Sequence, residues 1–417
     1  MRMQSMGKRI AELRKKSGMT QSNLAQKLEI SDRTVSKWES GQGYPDITML
    51  PELSAVFGVS IDYLMLGRKR GITIAGNIIA DVVKTIAEYP KQGMLTYVSE
   101  AVHAVGGCVP NTAINLAKID NSIPISVMGK VGSDENGRFI LSQMQKNGID
   151  TGNISFSSNA VTSFCDVMSM PTGERTFFHT KGANAEFSPA DMDISALKCN
   201  LLHIGYILLL DQFDKADDTY GTVMARFLHD VQQQGIQTSI DVVSDSAADY
   251  GQKIIPALKY CNYVIINEIE CCSIWRMDAR TASGALNRKN VKTAMQKMAD
   301  AGVRDKVIIH CKEACFVLNV QTGAFTEVSS LKIPETEIKG SVGAGDAFCA
   351  GCLYGIYNHF PDRQLLEFAS AAAACSLFAA NSVDGMRKRG EIEALSNKYE
   401  RQHNLPERMK EDACETK

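Results

Sequence analysis

The run KGSVGAGDAFCAG, Lys339 to Gly351, places glycines at positions 340, 343 and 345 just ahead of Asp346, with small and apolar residues after it. Glycine loses more conformational freedom on folding than any other residue, so such a cluster marks a place where something approaches the main chain. The turn GSVGAG (340–345) feeds the N-terminus of a helix expected to begin near Asp346. Free N–H groups and the positive end of the helix dipole favour an anion at such a point. An aspartate there repels a phosphate unless it faces a different group. In one reading, Gly343, Ala344 and Gly345 hold a phosphoryl group through their N–H groups while Asp346 takes a proton from an attacking hydroxyl. In the other, Asp346 caps the helix and the glycines form a tight turn. A Walker loop is excluded, because no Lys-Ser/Thr follows the glycines. A dinucleotide fingerprint is excluded too, since a full GxGxxG is missing. On these residues alone both readings stand.

The elements that must position Asp346 begin at Ile72. Apolar, turn-bounded runs read as strands: ITIAGNII (72–79), PISVMGKVG (124–132), LLHIGYILLL (201–210), TSIDVV (238–243), NYVIIN (262–267) and KVIIH (306–310). Helical stretches lie between them, among them NTAINLAKI (111–119), ENGRFILSQMQKNG (135–148) and GTVMARFLHDVQQQG (221–235). This alternation predicts an α/β domain with a mostly parallel sheet flanked by helices. The segment 163–180 differs, and predicts a hairpin around PTGE, either a small β lid or part of an extra sheet. The charged tail 396–417 is expected to fray.

The first seventy residues have another character. They hold 12 Lys/Arg against 7 Asp/Glu, a net +5, whereas the whole chain of 417 residues carries −2. Such a split suggests that one end meets a polyanion. The pattern predicts about five short helices: 7–18 closed by Gly18, 21–28 capped by Thr20, 32–41 capped by Ser31 and closed by Gly41, 47–58 and 60–67. The link EIS (29–31) makes the second and third a helix-turn-helix, with Val35 and Trp38 in the core.

Composition bounds the rest. At 44% hydrophobic and 22% charged, the chain reads as globular, and its length implies more than one domain. No apolar run reaches a membrane span, and the opening residues lack a signal-peptide core. Twelve cysteines without framework spacing suit a reducing, cytoplasmic setting. The CAGC at 349–352 lies inside the helix after Asp346, so it reads as packing thiols. No protein-ligated structural metal is expected. His103, His179 and His203 are read as structural or lid residues.

Residues 19–46, MTQSNLAQKLEISDRTVSKWESGQGYPD, resemble the lambda-repressor/Cro (XRE) type of helix-turn-helix over roughly residues 6–67. That resemblance implies a third helix in the major groove of double-stranded DNA. Ser31, Arg33, Thr34, Ser36 and Lys37 would face DNA, and Gln21 would hold a backbone phosphate. The second part, over roughly residues 72–390, resembles the ribokinase-like (PfkB) carbohydrate kinases. VGAG followed by GDAFCAG looks like their signature. AGNIIAD (75–81), GGCVPNTAINLA (106–117), GKVGSDENG (129–137) and NEIE (267–270) follow the family pattern in order. The resemblance implies Asp346 as base, an anion hole at Gly343–Gly345, and Asp81, Gly106, Gly107 and Asn111 on a small sugar. Asn267 and Glu270 would organise magnesium and phosphate, whereas Asp134 is read as a helix cap. ATP and magnesium are the implied cofactors, with potassium as a candidate further ion, and the implied assembly is a homodimer. Two departures stand near the expected nucleotide: Gly340 where the family has an acid, and HCKEAC (310–315) where it has a Thr-x-Gly strand end.

The domain plan is therefore 1–67 for the helix-turn-helix, 68–71 for a linker and 72–395 for the kinase. GRKRG (67–71) spans less than about 18 Å even when extended. Three functions follow: a bifunctional kinase-regulator, a regulator whose second domain senses a sugar or nucleotide, or a kinase whose helical domain oligomerises. Nucleosides are the alternative substrate.

Overall fold

The computed structural model describes residues 3–402 apart from 58, 60, 67–70, 171–174 and 245–248. Residues 67–70 of the expected linker, the PTGE turn and most of the charged tail lie outside the described residues, whereas Gly71, given to the linker, opens the first strand of the second unit. The chain divides into two compact units, Met1–Arg70 and Gly71–Lys417.

The first unit holds α1 (Met3–Lys16), α2 (Gln21–Lys27), α3 (Asp32–Ser40), α4 (Leu50–Phe57) and α5 (Ile61–Leu66). Thr20 caps α2 through the Asn23 N–H, Ser31 caps α3 through the Thr34 N–H, and Gly41 ends α3 in the left-handed conformation. The expected caps are thus the ones used. Ile10, Leu24, Val35, Trp38, Leu53 and Leu64 form the core. A buried ion pair crosses it. Arg14 grips Glu39 with two nitrogens, at 2.6 and 2.8 Å, and donates its third to the Met19 carbonyl.

In the second unit the strands are β1 (Gly71–Gly76), β2 (Ile79–Ile86), β3 (Val98–Gly106), β4 (Ile125–Gly132), β5 (Asp150–Ser157), β6 (Phe164–Ser169), β7 (Arg175–Thr180) and β8 (Cys199–Ile207). A two-residue ladder, β9 (Ala216–Asp217) with β10 (Gly221–Thr222), precedes β11 (Gln237–Val242), β12 (Tyr263–Asn267), β13 (Lys306–His310), β14 (Ala314–Asn319) and β15 (Phe325–Ser329). The helices are α6 (Cys108–Ile119), α7 (Glu135–Lys146), α8 (Val223–Gln233), α9 (Tyr250–Leu258), α10 (Glu268–Ser273), α11 (Arg288–Asp300), α12 (Ala344–Tyr357), α13 (Asp362–Ser376) and α14 (Arg389–Lys398). Nine strands form one sheet in the order β15-β14-β13-β12-β11-β8-β1-β4-β5, parallel from β13 to β5 and antiparallel at β14 and β15. Successive strand residues point to opposite faces. Accordingly Ile72 and Ile74 join a core with α6, α12 and α13, whereas Ala75 joins a second core with α8, α9 and α11. Both faces are covered, which is why the central strands read as continuous apolar runs.

The expected strand 72–79 is two strands. Gly76 takes φ +129, and a Cβ there would meet the Gly205 carbonyl at 2.5 Å. Asn184 then clamps the Ile78 N–H and carbonyl at 3.1 and 3.0 Å. The chain leaves the main sheet at this break and enters a four-stranded lid sheet, β3-β2-β6-β7. The hairpin expected at 163–180 supplies two of its strands.

Candidate active site

The C-terminal ends of the parallel strands and the N-termini of the helices after them converge on Asp346. This edge of an open α/β sheet is where ligands usually bind. Asp346 sits in the first turn of α12 behind Gly343, the N-cap, which has φ +76 and provides no side-chain cap. A Cβ at Gly343 would lie 2.4 Å from the Ser382 Cβ, so the turn needs glycine on two counts. The first N–H groups of a helix have no partner inside it, and of these the Ala344 N–H reaches back to the Ser341 carbonyl at 3.4 Å.

The Asp346 side chain does not cap its helix. Its carboxylate accepts the Asn111 amide at 2.9 Å and the Tyr206 hydroxyl at 3.1 and 3.3 Å. It is buried, and burial pushes its pKa up to about 6, against the pull of those two bonds. The cap reading of this aspartate is therefore set aside on geometry. Across the site, Asp81 on β2 is also pushed up to about 6, by burial and then by the charge of Asp346. A Cβ at Gly106 would stand 2.4 Å from one Asp81 carboxylate oxygen and 2.7 Å from the other. Gly107 takes φ +81 at the start of α6 and would carry a Cβ into the Asn77 carbonyl. The two glycines thus let Asp81 and α6 approach, and α6 presents Asn111 to Asp346.

Asn267 and Glu270 form a capping box at the start of α10. Asn267 Oδ1 accepts the Glu270 N–H at 2.9 Å, and Glu270 Oε2 accepts the Asn267 N–H at 3.0 Å. Ser244 donates to Glu270 Oε1 at 2.8 Å. Burial pushes Glu270 up to about 7. Asp241, at the end of β11, is shifted well upward by burial, then by Glu270 and Asp346. It links the Glu270 corner electrostatically to the Asp346 corner.

A model described as pfkB family carbohydrate kinase matches residues 70–389, and one described as helix-turn-helix matches residues 10–64. The chain belongs to the pfkB family of carbohydrate kinases. Its kinase part is 24% identical over 315 residues to a 5-dehydro-2-deoxygluconokinase of Geobacillus kaustophilus, covering 71% of this chain and 85% of that protein. The fold resembles that of Arabidopsis thaliana ribokinase complexed with ribose and ATP, with a TM-score of 0.65 at 19% identity over 79% of this chain and 99% of that one. A third relative aligns over 28% of the chain. It is the HTH-type transcriptional activator BcrR of Enterococcus faecalis, 33% identical over 126 residues and covered to 60% of its length. The pfkB kinase domain thus follows a helix-turn-helix DNA-binding domain. No helix among the described residues is long and apolar enough to cross a membrane.

Several residues around Asp346 carry little or no signal in the sequence. Tyr206 lies within the apolar run 201–210, yet it adopts φ +60, rare for a bulky residue, and aims its hydroxyl at Asp346. Asp241 had a visible signal, an acid at the end of a β-run. Asn77 and Asn184 had none. Asp134 does cap α7, accepting the Gly137 N–H at 2.9 Å and the Thr162 N–H at 2.6 Å. Cys349 and Cys352 are buried, with Cys349 Sγ 3.5 Å from His203 Nε2, and no metal-binding group of three side chains occurs among the described residues. His310 opens the tight β13–β14 turn and lies against Phe348, near Gly345. Burial lowers its pKa to about 4, so it is neutral.

On α3, Ser31, Arg33, Ser36 and Lys37 are exposed and Thr34 is half-buried. Ser31 and Thr34 spend their hydroxyls on each other at 2.8 Å. Gln21 donates to Glu39 at 2.8 Å, so its amide nitrogen is tied to the Arg14–Glu39 pair.

Proposed function

We propose that residues 72–395 transfer the γ-phosphoryl group of ATP to a hydroxymethyl group of a small sugar, and that residues 1–67 bind a specific duplex operator. One observation carries the catalytic half: a buried Asp346 carboxylate, held by Asn111 and Tyr206, set behind the Gly343 turn and close to Asp81. A carboxylate titrating near 6 is a stronger base than an ordinary aspartate and is still ionised at pH 7. In this reading Asp346 takes the hydroxyl proton as the sugar oxygen bonds to phosphorus and the bond to the departing ADP oxygen breaks. Asp81, Gly106, Gly107 and Asn111 hold the sugar. Asn111 Oδ1 is buried without a donor, which suits a sugar hydroxyl. The N–H groups of Gly343, Ala344 and Gly345 face the charge of the transferred group.

Magnesium bound with ATP would supply positive charge across the phosphates. The acids Asp241 and Glu270, both shifted upward by burial, fit a cation at their corner. With both Glu270 oxygens already bonded to protein, Asn267 and Glu270 would hold the ion through water.

The test is ADP release across a panel of sugars and nucleosides, alongside thermal shift with and without ATP and magnesium. A sugar should support turnover that Asp346→Asn slows by ~10²–10⁴. No turnover with any compound that raises the melting temperature would leave the sensor reading in its place. His310 and Gly340 beside the glycine turn favour that second reading.

The regulatory half adds a homodimer. On the face of the lid that carries Asp81, Val102, Val83, Val167 and Phe177 lie opposite one another across four strands, and Val102 and Phe177 are exposed. A second copy covering this row would tie dimer spacing to lid closure. Sugar binding would then change operator affinity by about 1–3 kcal/mol without phosphoryl transfer, since only differential binding shifts an equilibrium. Operator titrations of Asp346→Asn with saturating sugar measure this. Unchanged affinity in both proteins would mean that the two domains are merely tethered.

A further inference from the structure

Helix α6 is buried along almost its whole length, yet it carries three polar side chains on one face. Asn111, Asn115 and Lys118 stand at i, i+4 and i+7, the spacing at which helical residues line up. Asn111 reaches the Asp346 carboxylate at 2.9 Å. One turn on, Asn115 donates its Nδ2 to the Ser382 carbonyl at 3.2 Å. Lys118 donates to the Val383 carbonyl at 2.8 Å and lies 3.7 Å from an Asp384 oxygen. One face of α6 is thus tied first to Asp346 and then to the segment 382–384. The segment that leads up to it, from Leu377, backs the glycine turn at three points. The Lys339 N–H donates to the Leu377 carbonyl at 2.7 Å. A Cβ at Gly340 would stand 3.0 Å from the Ala379 carbonyl. A Cβ at Gly343 would meet the Ser382 Cβ at 2.4 Å and its Cα at 2.7 Å. A shift of Ser382 therefore presses on Gly343 or opens a gap behind it, and Ala344 and Gly345 follow because they continue into α12.

Asn115 is costly where it stands. It is fully buried, and its Oδ1 has no donor. A buried acceptor left unpaired loses its hydration without compensation. Asparagine is also a poorer helix former than alanine or leucine. An apolar side chain would avoid both costs, so packing alone does not select an amide here. What an apolar side chain cannot supply is the donor to the Ser382 carbonyl. A carbonyl only accepts, so the amide nitrogen must face it.

We propose that Asn115 is a positioning residue for phosphoryl transfer: through Ser382 it sets the Gly343–Gly345 turn against the terminal phosphate of the nucleotide, with Lys118 as a second tie. Its role rests on the reading of that turn as the element that holds the transferred group. Because Asn111 and Asn115 stand on one helix, the Asp346 carboxylate and the turn are held to a common support, and phosphoryl transfer depends on such fixed spacing.

The experiment measures binding of the non-hydrolysable ATP analogue AMP-PNP and of ADP, each with magnesium, to the full-length protein by isothermal calorimetry. The two ligands differ by the terminal phosphoryl group, so the ratio of their dissociation constants reports on the turn. Asn115→Ala should lower the preference for AMP-PNP over ADP roughly 3–10-fold, the worth of one hydrogen bond. Lys118→Met should lower it in the same direction. Leu116→Ala, also on α6 and fully buried, should lower the melting temperature at least as much as Asn115→Ala and leave the preference unchanged. Gly343→Ala should abolish the preference. An unchanged preference in Gly343→Ala would refute the reading of the turn, and the role of Asn115 with it. A preference lost in Gly343→Ala but kept in both Asn115→Ala and Lys118→Met would overturn the role of Asn115 alone. Equal loss in Leu116→Ala would overturn it too, because general loosening of α6 would then account for the effect. Should Asn115→Ala fail to fold, Lys118→Met against Leu116→Ala decides on the same terms.

Discussion

Replacing Asp346 by asparagine should make the kinase domain more stable as well as slow. The folded protein holds this carboxyl near a pKa of about 6, against the ordinary aspartate value of 3.8, and burial is the main cause. That difference corresponds to about 3 kcal/mol. The sign follows from which state binds the proton more tightly. Here the folded state does, so the ionised carboxylate opposes folding at any pH above 6, and the cost fades as pH falls from 6 towards 4. Asparagine keeps the shape and can still accept the Asn111 and Tyr206 hydrogen bonds through its oxygen. Asp81 gains as well, because part of its own upward shift comes from the Asp346 charge. Asp346→Asn should therefore stabilise the kinase domain by up to about 3 kcal/mol at pH 8 and by almost nothing at pH 4. Scanning calorimetry of the full chain at pH 8, 6 and 4 measures this, with the kinase transition identified by its response to sugar and ATP. An unmoved or lowered transition at pH 8 would refute the reasoning, because it would mean that the carboxylate is not desolvated.

Other substitutions test neighbouring parts of the structure. Gly106→Ala puts a methyl group 2.4 Å from an Asp81 oxygen, so the carboxylate must shift by roughly 1 Å from ordinary contact distance. KM for the sugar should rise ~10–100-fold, the worth of one charge-assisted hydrogen bond, with a smaller change in kcat; an unchanged KM removes Asp81 from the sugar. Arg14→Ala strands the buried Glu39 carboxylate and should cost the helix-turn-helix about 3–5 kcal/mol, read as loss of its separate calorimetric transition. A loss below about 1 kcal/mol would show that water reaches the pair. Arg33→Ala should relax sequence preference at one operator base pair at a cost of about 1–3 kcal/mol, and uniform weakening on all sequences would mark it as a phosphate contact instead.

Much of the chain's plan is determined locally and was legible. Thr20, Ser31, Gly41 and Asp134 act through hydrogen bonds or dihedrals within a few residues of themselves, so their roles follow from spacing alone. The alternation of apolar runs and helices determines a covered parallel sheet for the same reason, since each run must bury both its faces. The glycines around Asp346 announce a close approach without saying what approaches. Tertiary structure decided the rest. Asp346 could have been a cap, and only its meeting with Asn111, 235 residues earlier, and with Tyr206 makes it a desolvated carboxylate. The strand expected at 72–79 breaks after Gly76, which takes φ +129, and Asn184, distant in sequence, takes up the Ile78 N–H and carbonyl that a continuous ladder would use. Asp241 becomes part of the site only when β11 ends beside Glu270. Desolvation and charge proximity depend on what packs around a group. A carboxylate's local sequence therefore names it as an acid, whereas its neighbours in space set its pKa.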